Sequence, residues 1–491
     1  MQNVSIYQIN TRAFCYKQNK ALLQIPLEYF RKLKSLGIDY VWMMGVWEPL
    51  SKKYIDKYCK EINLLKEYKK ALPDVKEDDI VGSPYAISDY KLNPALGNLD
   101  DIILLKQKLN SIGLKLIVDF VPNHFGASTP LLETHEDVFL KCKKEDFFND
   151  RITFFRPFKE KEVFFAHGKD PNFAAWQDTV QINYFSESAR NFMEQILLNL
   201  SSVADGVRCD MAMLCLNRIF AKTWKNIIEK QNLHAPQNEF WSEAIKKVKA
   251  KNPNFIFIAE TYWDTEWEMQ NLGFDYTYDK RLMDRIKYSD ANDIRGHLRA
   301  ETLYQEKLVR FIENHDEERS IKALGEDKAK MAAIIISTIL GMRFYYDGEF
   351  EGKTVKLPVQ LRREPVEEEN KEIKEFYLKL LNIVNTDIFR KGSWSLLNVE
   401  RGEDSLSYNN ILAWSREYEG KKVLIIINFS EYDSSAHIRV NFGNSEKIKF
   451  TDLLNNKEYE YKKSDLDTNG LFVKLKKYSA HIFSCEYCVT I

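Results

Sequence analysis

The chain has 491 residues, of which 44% are hydrophobic and 29% are charged, and its formal net charge at pH 7 is −1. This length exceeds what one hydrophobic core usually supports, so we expect a large domain with one or two smaller ones. The balanced charge excludes the basic surface that non-specific nucleic-acid binding requires, and the ordinary composition excludes disordered, collagen-like and disulfide-scaffold proteins.

The N-terminal segment, residues 1–14, predicts a strand and no secretory signal, because no basic stretch precedes an apolar one. No apolar run has the length needed to cross a bilayer. Seven scattered cysteines argue against a disulfide framework. Cys485 and Cys488 have the spacing of a metal or redox pair, but without a second pair they are expected to be buried free thiols. We therefore predict a cytoplasmic protein with no membrane partner.

Short apolar runs alternate with amphipathic helical patterns over about 390 residues, which predicts parallel strands joined by right-handed crossovers. The predicted strands are Val4–Ile9, Ile38–Met43, Leu114–Val121, Gly206–Cys209, Phe255–Ala259, Phe274–Tyr278, Leu308–Ile312 and Met342–Tyr346. The predicted helices are Pro26–Leu36, Leu99–Ile112, Ala189–Val203, Asn217–Ala250, Met283–Arg299, Lys328–Leu340 and Glu367–Val384. Eight such units favour an α/β fold of the (β/α)₈ TIM-barrel type. A doubly wound sheet would usually carry a Gly-rich loop after its first strand, and none is present.

Two regions depart from this alternation and set the predicted domain boundaries. A Phe-, Lys- and Asp-rich stretch follows the third strand, which predicts a short inserted domain over residues 125–184 between barrel segments 1–124 and 185–389. After about Phe389 helical patterns stop and short alternating runs take over, which predicts a C-terminal antiparallel β-sandwich over residues 390–491. The predicted strands there are Ile411–Trp414, Val423–Asn428, Ala436–Phe442, Gly470–Leu475 and Ser479–Phe483.

Carboxylates follow four of the predicted barrel strands. Asp119 lies near the end of the third strand, Asp210 ends the fourth, Glu260 ends the fifth and Asp316 follows the seventh. A single such residue is more often a helix cap or a surface group. Because the carboxyl ends of all barrel strands meet at one rim, where active sites lie, the set together predicts a catalytic centre.

The chemistry that fits this set is glycosidic bond cleavage with retention. That reaction needs one carboxylate as nucleophile and one carboxylic acid to protonate the leaving oxygen, about 5–5.5 Å apart. Neighbouring strands can present Asp210 and Glu260 in this way. Arg208 lies two residues before Asp210 on the same strand face, where we expect it to keep Asp210 ionised and aimed. Glu260 would instead have to stay protonated.

These segments resemble the signature regions of the α-amylase family, in the right order and on the right strands. The matching residues are Asp119, Asn123 and His124 on the third strand, Gly206, Arg208 and Asp210 on the fourth, Glu260 on the fifth, and Asn314, His315 and Asp316 on the seventh. The segment Gly82–Tyr90 is similar to the family segment that follows the second strand. The resemblance covers roughly residues 1 to 390 and is specific because several regions match together.

The resemblance implies a role for each residue. Asp210 would be the nucleophile, Glu260 the acid/base, and Asp316 a third carboxylate that holds sugar hydroxyls. Substrate binding would also involve Tyr85, His124, Arg208 and His315, with Tyr85 stacking on the sugar. The partner is a small carbohydrate, and the oligomeric state is not indicated. Asn123 is a calcium ligand in the family, although the inserted segment offers only scattered donors, such as Asp150, Asp170 and Asp178. No cofactor is required by the chemistry, and calcium is the one candidate.

Two features leave the substrate open. After Asp210 the chain reads Met211–Leu214, where many starch-degrading members carry a Lys-His pair that holds the leaving side of the substrate. The inserted segment is also short. We therefore predict a hydrolase that favours short α-1,4-linked gluco-oligosaccharides. The alternatives are a transglycosylase or a sucrose- or trehalose-active member, and an inactive relative that serves as a partner or scaffold protein. All three carboxylates and Arg208 are present, which argues against the last alternative.

Overall fold

The computed structural model describes residues 3–442 and 446–487. Eight parallel strands form a closed barrel in which each strand pairs with its sequence neighbours and the last pairs with the first. We label them β1 Ser5–Asn10, β2 Tyr40–Met44, β3 Lys115–Phe120, β4 Gly206–Cys209, β5 Ile256–Ala259, β6 Tyr276–Tyr278, β7 Leu308–Arg310 and β8 Met342–Tyr346. The predicted TIM-barrel fold with a C-terminal all-β part is therefore confirmed.

Helices surround the barrel and bury one apolar face each. The helix Leu99–Ser111 is typical: the Asn98 side chain caps its first turn by accepting from the amides of Asp100 and Asp101, and Leu105 and Leu109 are buried against the barrel. The α-helices are Thr11–Gln18, Leu27–Ser35, Lys52–Tyr58, Ile62–Ala71, Leu99–Ser111, Leu131–Thr134, Lys144–Asn149, Glu187–Val203, Asn217–Thr223, Lys225–Gln231, Phe240–Lys251, Glu266–Asn271, Lys280–Tyr288, Ala291–His297, Thr302–Gln305, Ser320–Leu324, Glu326–Thr338, Lys371–Val384, Asp387–Arg390 and Lys463–Asn469.

Two of the predicted helices were wrong as single elements. The stretch Asn217–Ala250 forms three helices, because Trp224 leaves helical geometry and Asn232 ends the second helix in the left-handed conformation. The stretch Met283–Arg299 forms two helices, because Asp290 has extended backbone and caps the second one with its side chain. Both breaks shorten the helices while leaving their apolar faces on the barrel.

The segment after β3 forms its own small sheets. The strands Lys141–Cys142, Phe154–Phe155 and Phe164–Ala166 make a three-stranded antiparallel sheet, and His124–Gly126 pairs with Thr179–Gln181. A second excursion, between β2 and β3, contributes the helices Lys52–Tyr58 and Ile62–Ala71 and a two-stranded sheet of Trp47–Pro49 and Ile87–Leu92. Both excursions leave the carboxyl ends of their strands, so they form walls around the rim of the barrel.

The C-terminal part contains two antiparallel sheets that share one apolar core. Its strands, β9 to β17 in chain order, are Ser393–Leu396, Asn398–Arg401, Ile411–Tyr418, Lys421–Asn428, Ser434–Arg439, Lys447–Asp452, Lys457–Lys462, Leu471–Leu475 and Ser479–Tyr487. Helices do not stop after Phe389 as predicted, since Lys463–Asn469 is helical. This helix is short and polar, with Leu466 as its one buried residue, so it carries no periodic apolar signal in the sequence.

The interior of the barrel is filled by large side chains that lie below the rim. Trp42, Tyr278, Phe311 and Phe344 form one buried cluster, and the ring of Trp42 lies directly under the strand ends that carry the carboxylates. Within the described residues, no helix has the length and apolar character needed to cross a membrane. The six cysteines within the described residues are buried free thiols, and Cys485 is one of them. Cys488 lies outside the described residues.

Candidate active site

Arg208 joins the two carboxylates that follow β4 and β5. Its Nη1 donates to Asp210 Oδ1 at 2.8 Å, and its Nη2 lies 2.8 Å from Glu260 Oε2. The backbone amide of Asp210 donates to Phe120 on β3, and the amide of Glu260 donates to Cys209 on β4. Strand pairing therefore continues through both residues. One buried guanidinium thus holds two carboxylates from adjacent strands at a shared edge.

Further donors fix the carboxylate of Glu260. The Tyr262 hydroxyl donates to Oε1 and the Met211 amide donates to Oε2, each at 2.7 Å. Met211 has a left-handed backbone, with φ of 42°, which turns its amide toward Glu260. A left-handed conformation is costly for a non-glycine residue and is common at functional sites. The turn after Asp210 therefore positions Glu260 through the backbone.

The surroundings of Arg208 are aromatic and closed to solvent. Its guanidinium carbon lies 5.1 Å from the ring centres of Trp42 and Tyr85. Asp119 lies beneath, 3.9 Å from Arg208, and accepts hydrogen bonds from Trp42 Nε1 at 3.1 Å and the Gly45 amide at 2.8 Å. Asp119 is fully buried and has no access to the cavity above. It braces the top of the barrel rather than lining the pocket.

The protonation of Asp210 differs from what the sequence suggested. Burial raises the pKa of Asp210 to about 8, since the attraction of Arg208, which lowers it, is outweighed by desolvation and by the charge of Glu260. Arg208 therefore aims Asp210 but does not keep it ionised on its own.

His315 links β1, Tyr85 and Asp316. Its Nδ1 lies 2.7 Å from Gln8 Nε2, and its Nε2 lies 2.7 Å from the Tyr85 hydroxyl and 2.9 Å from Asp316 Oδ2. His315 is buried, whereas the Asp316 side chain is 48% exposed. Desolvation tends to raise the pKa of Asp316, but the attraction of His315 outweighs it and lowers this pKa to about 2. Asp316 is therefore an ionised carboxylate that faces open space.

His124 lies on the opposite wall. Burial lowers the pKa of His124 to about 4, so the ring is neutral near pH 7. Its ring centre lies 5.3 Å from that of Trp176, and Asn123 Nδ2 donates to its Nδ1 at 3.3 Å. A neutral imidazole in this position can donate a hydrogen bond to a sugar hydroxyl or accept one from it.

The predicted residues surround one cavity of about 390 Å³, which we call the catalytic pocket. Five of them line it: Tyr85, His124, Asp210, Glu260 and Asp316. Arg208 and Asn123 are buried behind its wall, and His315 lines an adjoining cavity that shares Asp316. The structure thus brings the sequence-predicted carboxylates and their neighbours to one place.

Further residues line the catalytic pocket that sequence reasoning missed. Tyr262, Trp176, Asp178 and Gln360 come from three different loops. Tyr262 could have been found, because it follows Glu260 by only two residues. Asp178 has no ion-pair partner within the described chain, and burial raises its pKa to about 6. Loops without periodicity gave no signal for the others.

Asn123 and the acidic residues of the inserted segment make contacts within the protein. The Oδ1 of Asn123 accepts a hydrogen bond from Gln181 Nε2 at 3.0 Å, and Asp150 and Asp170 each cap turns of their own loops. In the ranges 3–442 and 446–487, no group of three or more His, Cys, Asp or Glu side chains is arranged to hold a metal ion. Calcium needs at least six oxygen ligands, so we assign no step to a metal.

Met213 and Leu214 point away from the catalytic pocket. They belong to the short 3₁₀ segment Ala212–Cys215 and are 0% and 2% exposed. Only Met211 of this turn reaches the pocket lining. The position where many relatives of this pattern carry a Lys-His pair therefore packs into the apolar core.

Comparison with known families covers most of the chain. The family model described as "Alpha amylase, catalytic domain" matches residues 26–400, and that described as "Alpha amylase, C-terminal all-beta domain" matches residues 405–487. The first match extends over most of the barrel and includes Asp210, Glu260 and Asp316. The second match falls on the C-terminal sheets.

Individual relatives are distant in sequence. A cyclomaltodextrinase of Thermoanaerobacter pseudethanolicus is 22% identical over 410 residues, which cover 80% of this chain and 63% of that protein. Alpha-amylase 3 of Dictyoglomus thermophilum is 22% identical over 501 residues, covering 91% and 88%. The crystal structure of a noncanonic maltogenic α-amylase, AmyB, from Thermotoga neapolitana superposes with a TM-score of 0.69 at 19% identity, covering 98% of each chain. This chain spans less than two thirds of the cyclomaltodextrinase.

Proposed function

Since the chain belongs to the α-amylase family of glycoside hydrolases, we propose that it hydrolyses short α-linked gluco-oligosaccharides with retention of configuration. The observation that carries this proposal is the bridge of Arg208 between Asp210 and Glu260. Retention needs two carboxyl groups in close proximity on either side of the bond that breaks. A single planar guanidinium that contacts both supports such a spacing.

In the first step Asp210 acts as nucleophile. An Oδ lone pair of Asp210 attacks the anomeric carbon, the bond from that carbon to the glycosidic oxygen breaks, and Glu260 gives its proton to the departing oxygen. The products are a glycosyl ester on Asp210 and a shortened sugar that leaves. Tyr262 and the Met211 amide hold the Glu260 carboxyl in place while it loses the proton.

In the second step Glu260 acts as base. It takes a proton from a water molecule, whose oxygen attacks the anomeric carbon and releases the Asp210 carboxylate. Two inversions at the same carbon leave the α configuration unchanged. The same intermediate can react with a sugar hydroxyl instead of water, so the transglycosylase alternative shares every residue and differs only in the acceptor.

The raised pKa of Asp210 fits this cycle once the sugar is considered. The pair of carboxylates needs a single proton, and it must be on Glu260 when Asp210 attacks. As the bond breaks, positive charge develops at the anomeric carbon next to Asp210, and this charge favours the ionised form of Asp210.

The remaining lining residues would bind the sugar at the cleavage position. Asp316, ionised and half exposed, can accept hydrogen bonds from two hydroxyls. His124 and Tyr85 line the same pocket, and His315 contacts both Tyr85 and Asp316. Trp176 presents a ring beside His124 against which the apolar face of a sugar can stack.

The preference for short substrates rests on the turn after Asp210. Because Met213 and Leu214 are buried, this turn offers the leaving side no charged or ring-nitrogen donor. Cyclomaltodextrinase and maltogenic α-amylase are the names of two of the relatives, which makes cyclomaltodextrin and maltose useful test compounds. The predicted domain boundaries and the cytoplasmic location stay predictions.

The proposal is tested by product analysis on a substrate panel. The panel contains maltose, maltotriose, maltoheptaose, starch, sucrose, trehalose and cyclomaltodextrin, with sizing of all products. Proton NMR on the first seconds of hydrolysis should show the α anomer first, and mutarotation should form the β anomer later. Early β-sugar would contradict double displacement. Products larger than the substrate would indicate transfer, and no product from any compound would favour the inactive-relative alternative.

A further inference from the structure

A second cavity of about 530 Å³ lies beside the catalytic pocket and has no part in the proposed chemistry. We call it the second cavity. One side is the helix Thr11–Gln18, which follows β1 directly, and the other sides are the segments that carry Val81 and Arg362. Its volume lies in the range of cavities that bind small molecules.

The charges that line the second cavity are mostly positive. Arg12, Lys20, Lys52 and Arg362 contribute cations, and none of them forms an ion pair with a carboxylate of the described chain. The acidic side chains at the cavity are Glu77 and Asp78, both exposed. Glu77 is paired with Lys60 at 3.0 Å. The cavity therefore has more positive charge than its own residues neutralise.

Arg12 is the strongest sign of a missing partner. It is only 5% exposed, yet its Nε has no hydrogen-bond partner in the described chain. Its two Nη atoms donate to the backbone oxygens of Val81, at 3.4 Å, and Val359, at 2.5 Å. A buried charge normally has an opposite charge beside it, because an unpaired one is costly to desolvate. Burial also lowers the pKa of Arg12 to about 10.

Arg362 adds a second unpartnered donor and an aromatic ring. Its buried Nε has no hydrogen-bond partner among the described residues, and its guanidinium lies 4.7 Å from the ring centre of Tyr16. Tyr16 is 44% exposed and lines the cavity. Arginine donors with fixed planar geometry are suited to phosphate oxygens, and an exposed ring beside them can pack against a sugar.

From this arrangement we propose that the second cavity binds a small phosphate-bearing molecule, with the phosphate held by Arg12 and Arg362 and the remainder packed on Tyr16. An uncharged sugar could accept hydrogen bonds from the two free Nε donors, but it would leave the positive charge of the cavity uncompensated. The site is distinct from the catalytic pocket, whose lining carries carboxylates and no lysine or arginine.

The two cavities share a wall, so the ligand can affect catalysis. The Val81 amide donates to Gln360 at 2.8 Å, and Gln360 lines the catalytic pocket. Arg12 holds the residues on either side of this contact, Val81 and Val359, through their backbone oxygens. A phosphate that draws Arg12 into the second cavity would therefore act on the segment that carries Gln360.

The experiment is isothermal titration calorimetry on the full chain carrying Asp210→Asn, which prevents turnover of maltose. The titrants are glucose 6-phosphate, inorganic phosphate and glucose, each in the presence of saturating maltose to fill the catalytic pocket. We expect saturable binding of glucose 6-phosphate and no binding of glucose. Arg362→Ala should weaken binding about tenfold or more, the loss of a charge-assisted contact. Tyr16→Ala should weaken the binding of glucose 6-phosphate but leave the binding of inorganic phosphate unchanged. Arg439→Ala, an exposed arginine of the C-terminal sheets, is the matched control and should change nothing.

Each result decides the proposal. Equal affinity for glucose 6-phosphate and inorganic phosphate would support the phosphate site and identify phosphate itself as the ligand. Binding of glucose as tight as that of glucose 6-phosphate would overturn it. So would phosphate binding that Arg362→Ala leaves unchanged, or no phosphate binding at all. If Arg12→Lys folds, it should also weaken binding. Hydrolysis by Arg362→Ala without phosphate should equal that of the unmodified protein, so this test is independent of the proposed function.

Discussion

The catalytic pocket and the second cavity are neighbours of similar size, about 390 and 530 Å³, whose lining side chains differ in the sign of their charge. The pocket presents Asp210, Glu260 and Asp316, and its one nearby arginine, Arg208, is buried beneath them. The second cavity presents cations, with Arg12 buried and without a carboxylate partner. The same barrel rim therefore supports two sites whose charge suits different ligands.

The difference lies in how each arginine is paired. Arg208 contacts two carboxylates at 2.8 Å, so its charge is compensated within the protein and holds these carboxylates in position. Arg12 contacts only backbone oxygens, so its charge stays available. Burial alone thus does not indicate the functional role of a charged side chain. The groups that the buried charge contacts do indicate it. The predictions below test whether the two sites can be disrupted separately.

The largest effect is expected for the carboxylates. Asp210→Asn and Glu260→Gln should each lower kcat by about 10³-fold or more, because one removes the proposed nucleophile and the other the proposed acid/base. Asp316→Asn should cost nearly as much. Steady-state kinetics on maltotriose measures this. Glucose 6-phosphate binding at the second cavity should be unchanged in all three variants, and near-normal turnover by Asp210→Asn or Glu260→Gln would refute the assigned roles.

A smaller loss is expected when the bridge between the carboxylates is weakened. Arg208→Lys should lower kcat about 10²-fold, because one ammonium group cannot contact both carboxylates as a planar guanidinium does. Arg208→Ala should lower it further. Attraction by Arg208 lowers the pKa of Asp210, so its removal raises that pKa. Asp210 must be ionised to attack, and the acid limb of kcat/KM should therefore move to higher pH.

The matched control for this prediction is Arg310→Lys. Arg310 is also a fully buried barrel arginine, on β7, but it pairs with Asp279 and the Leu340 backbone oxygen away from the catalytic pocket. It should reduce thermal stability without moving the pH profile. An acid limb that stays in place in Arg208→Ala, or that moves equally in Arg310→Lys, would mean that Arg208 acts only on folding.

The raised pKa of Asp210 also predicts a pH-dependent stability effect. A carboxyl whose pKa is higher in the folded than in the unfolded chain binds more protons when folded, so it lowers stability as pH rises from about 4 to about 8. Asp210→Asn removes this loss. Its Tm relative to the unmodified protein should therefore be higher at pH 8 than at pH 5, by at least about 1 °C. A Tm difference between the variant and the unmodified protein that does not change with pH would indicate that burial does not raise the pKa of Asp210.

Much of the barrel and of the candidate site could be predicted from the sequence. The strands Gly206–Cys209 and Met342–Tyr346 have the predicted bounds, because short, mostly apolar runs between helical patterns mark buried parallel strands. Because active sites of such barrels lie at the carboxyl ends of the strands, the sequence places Asp210 and Glu260 at one rim, although it does not give the distance between them. Their roles stay proposals, since the geometry supports them and only kinetics can test them.

The parts that could not be predicted depend on contacts between distant segments. Trp176 and Gln360 reach the catalytic pocket from loops whose course is set by tertiary packing. The second cavity needs Arg12, Val81 and Arg362 together, although they are far apart in the chain. The expectation that Arg208 keeps Asp210 ionised failed for a related reason: the sequence indicates a neighbouring charge but not the degree of burial that opposes it.

The smallest effect concerns substrate length and compares the two sides of the catalytic pocket itself. Asp316, His124 and Tyr85 surround the cleavage position with polar groups, whereas the turn Met211–Leu214 offers the leaving side only the side chain of Met211. A hydrogen bond to a charged donor contributes roughly 1.5–3 kcal/mol, so each one absent weakens the hold on added glucose units. Longer chains should then gain little affinity. We expect kcat/KM per cleavable bond to change by less than about tenfold from maltotriose to amylose and to be highest on short substrates.

Placing Lys at position 213 is not a fair test, because Met213 is buried in the core. Met211→Ala is the better variant, and it should change KM on maltose and on maltoheptaose by the same factor. A value that rises steadily with chain length would show that another surface holds the polymer, and the enzyme would then act as an ordinary endo-amylase.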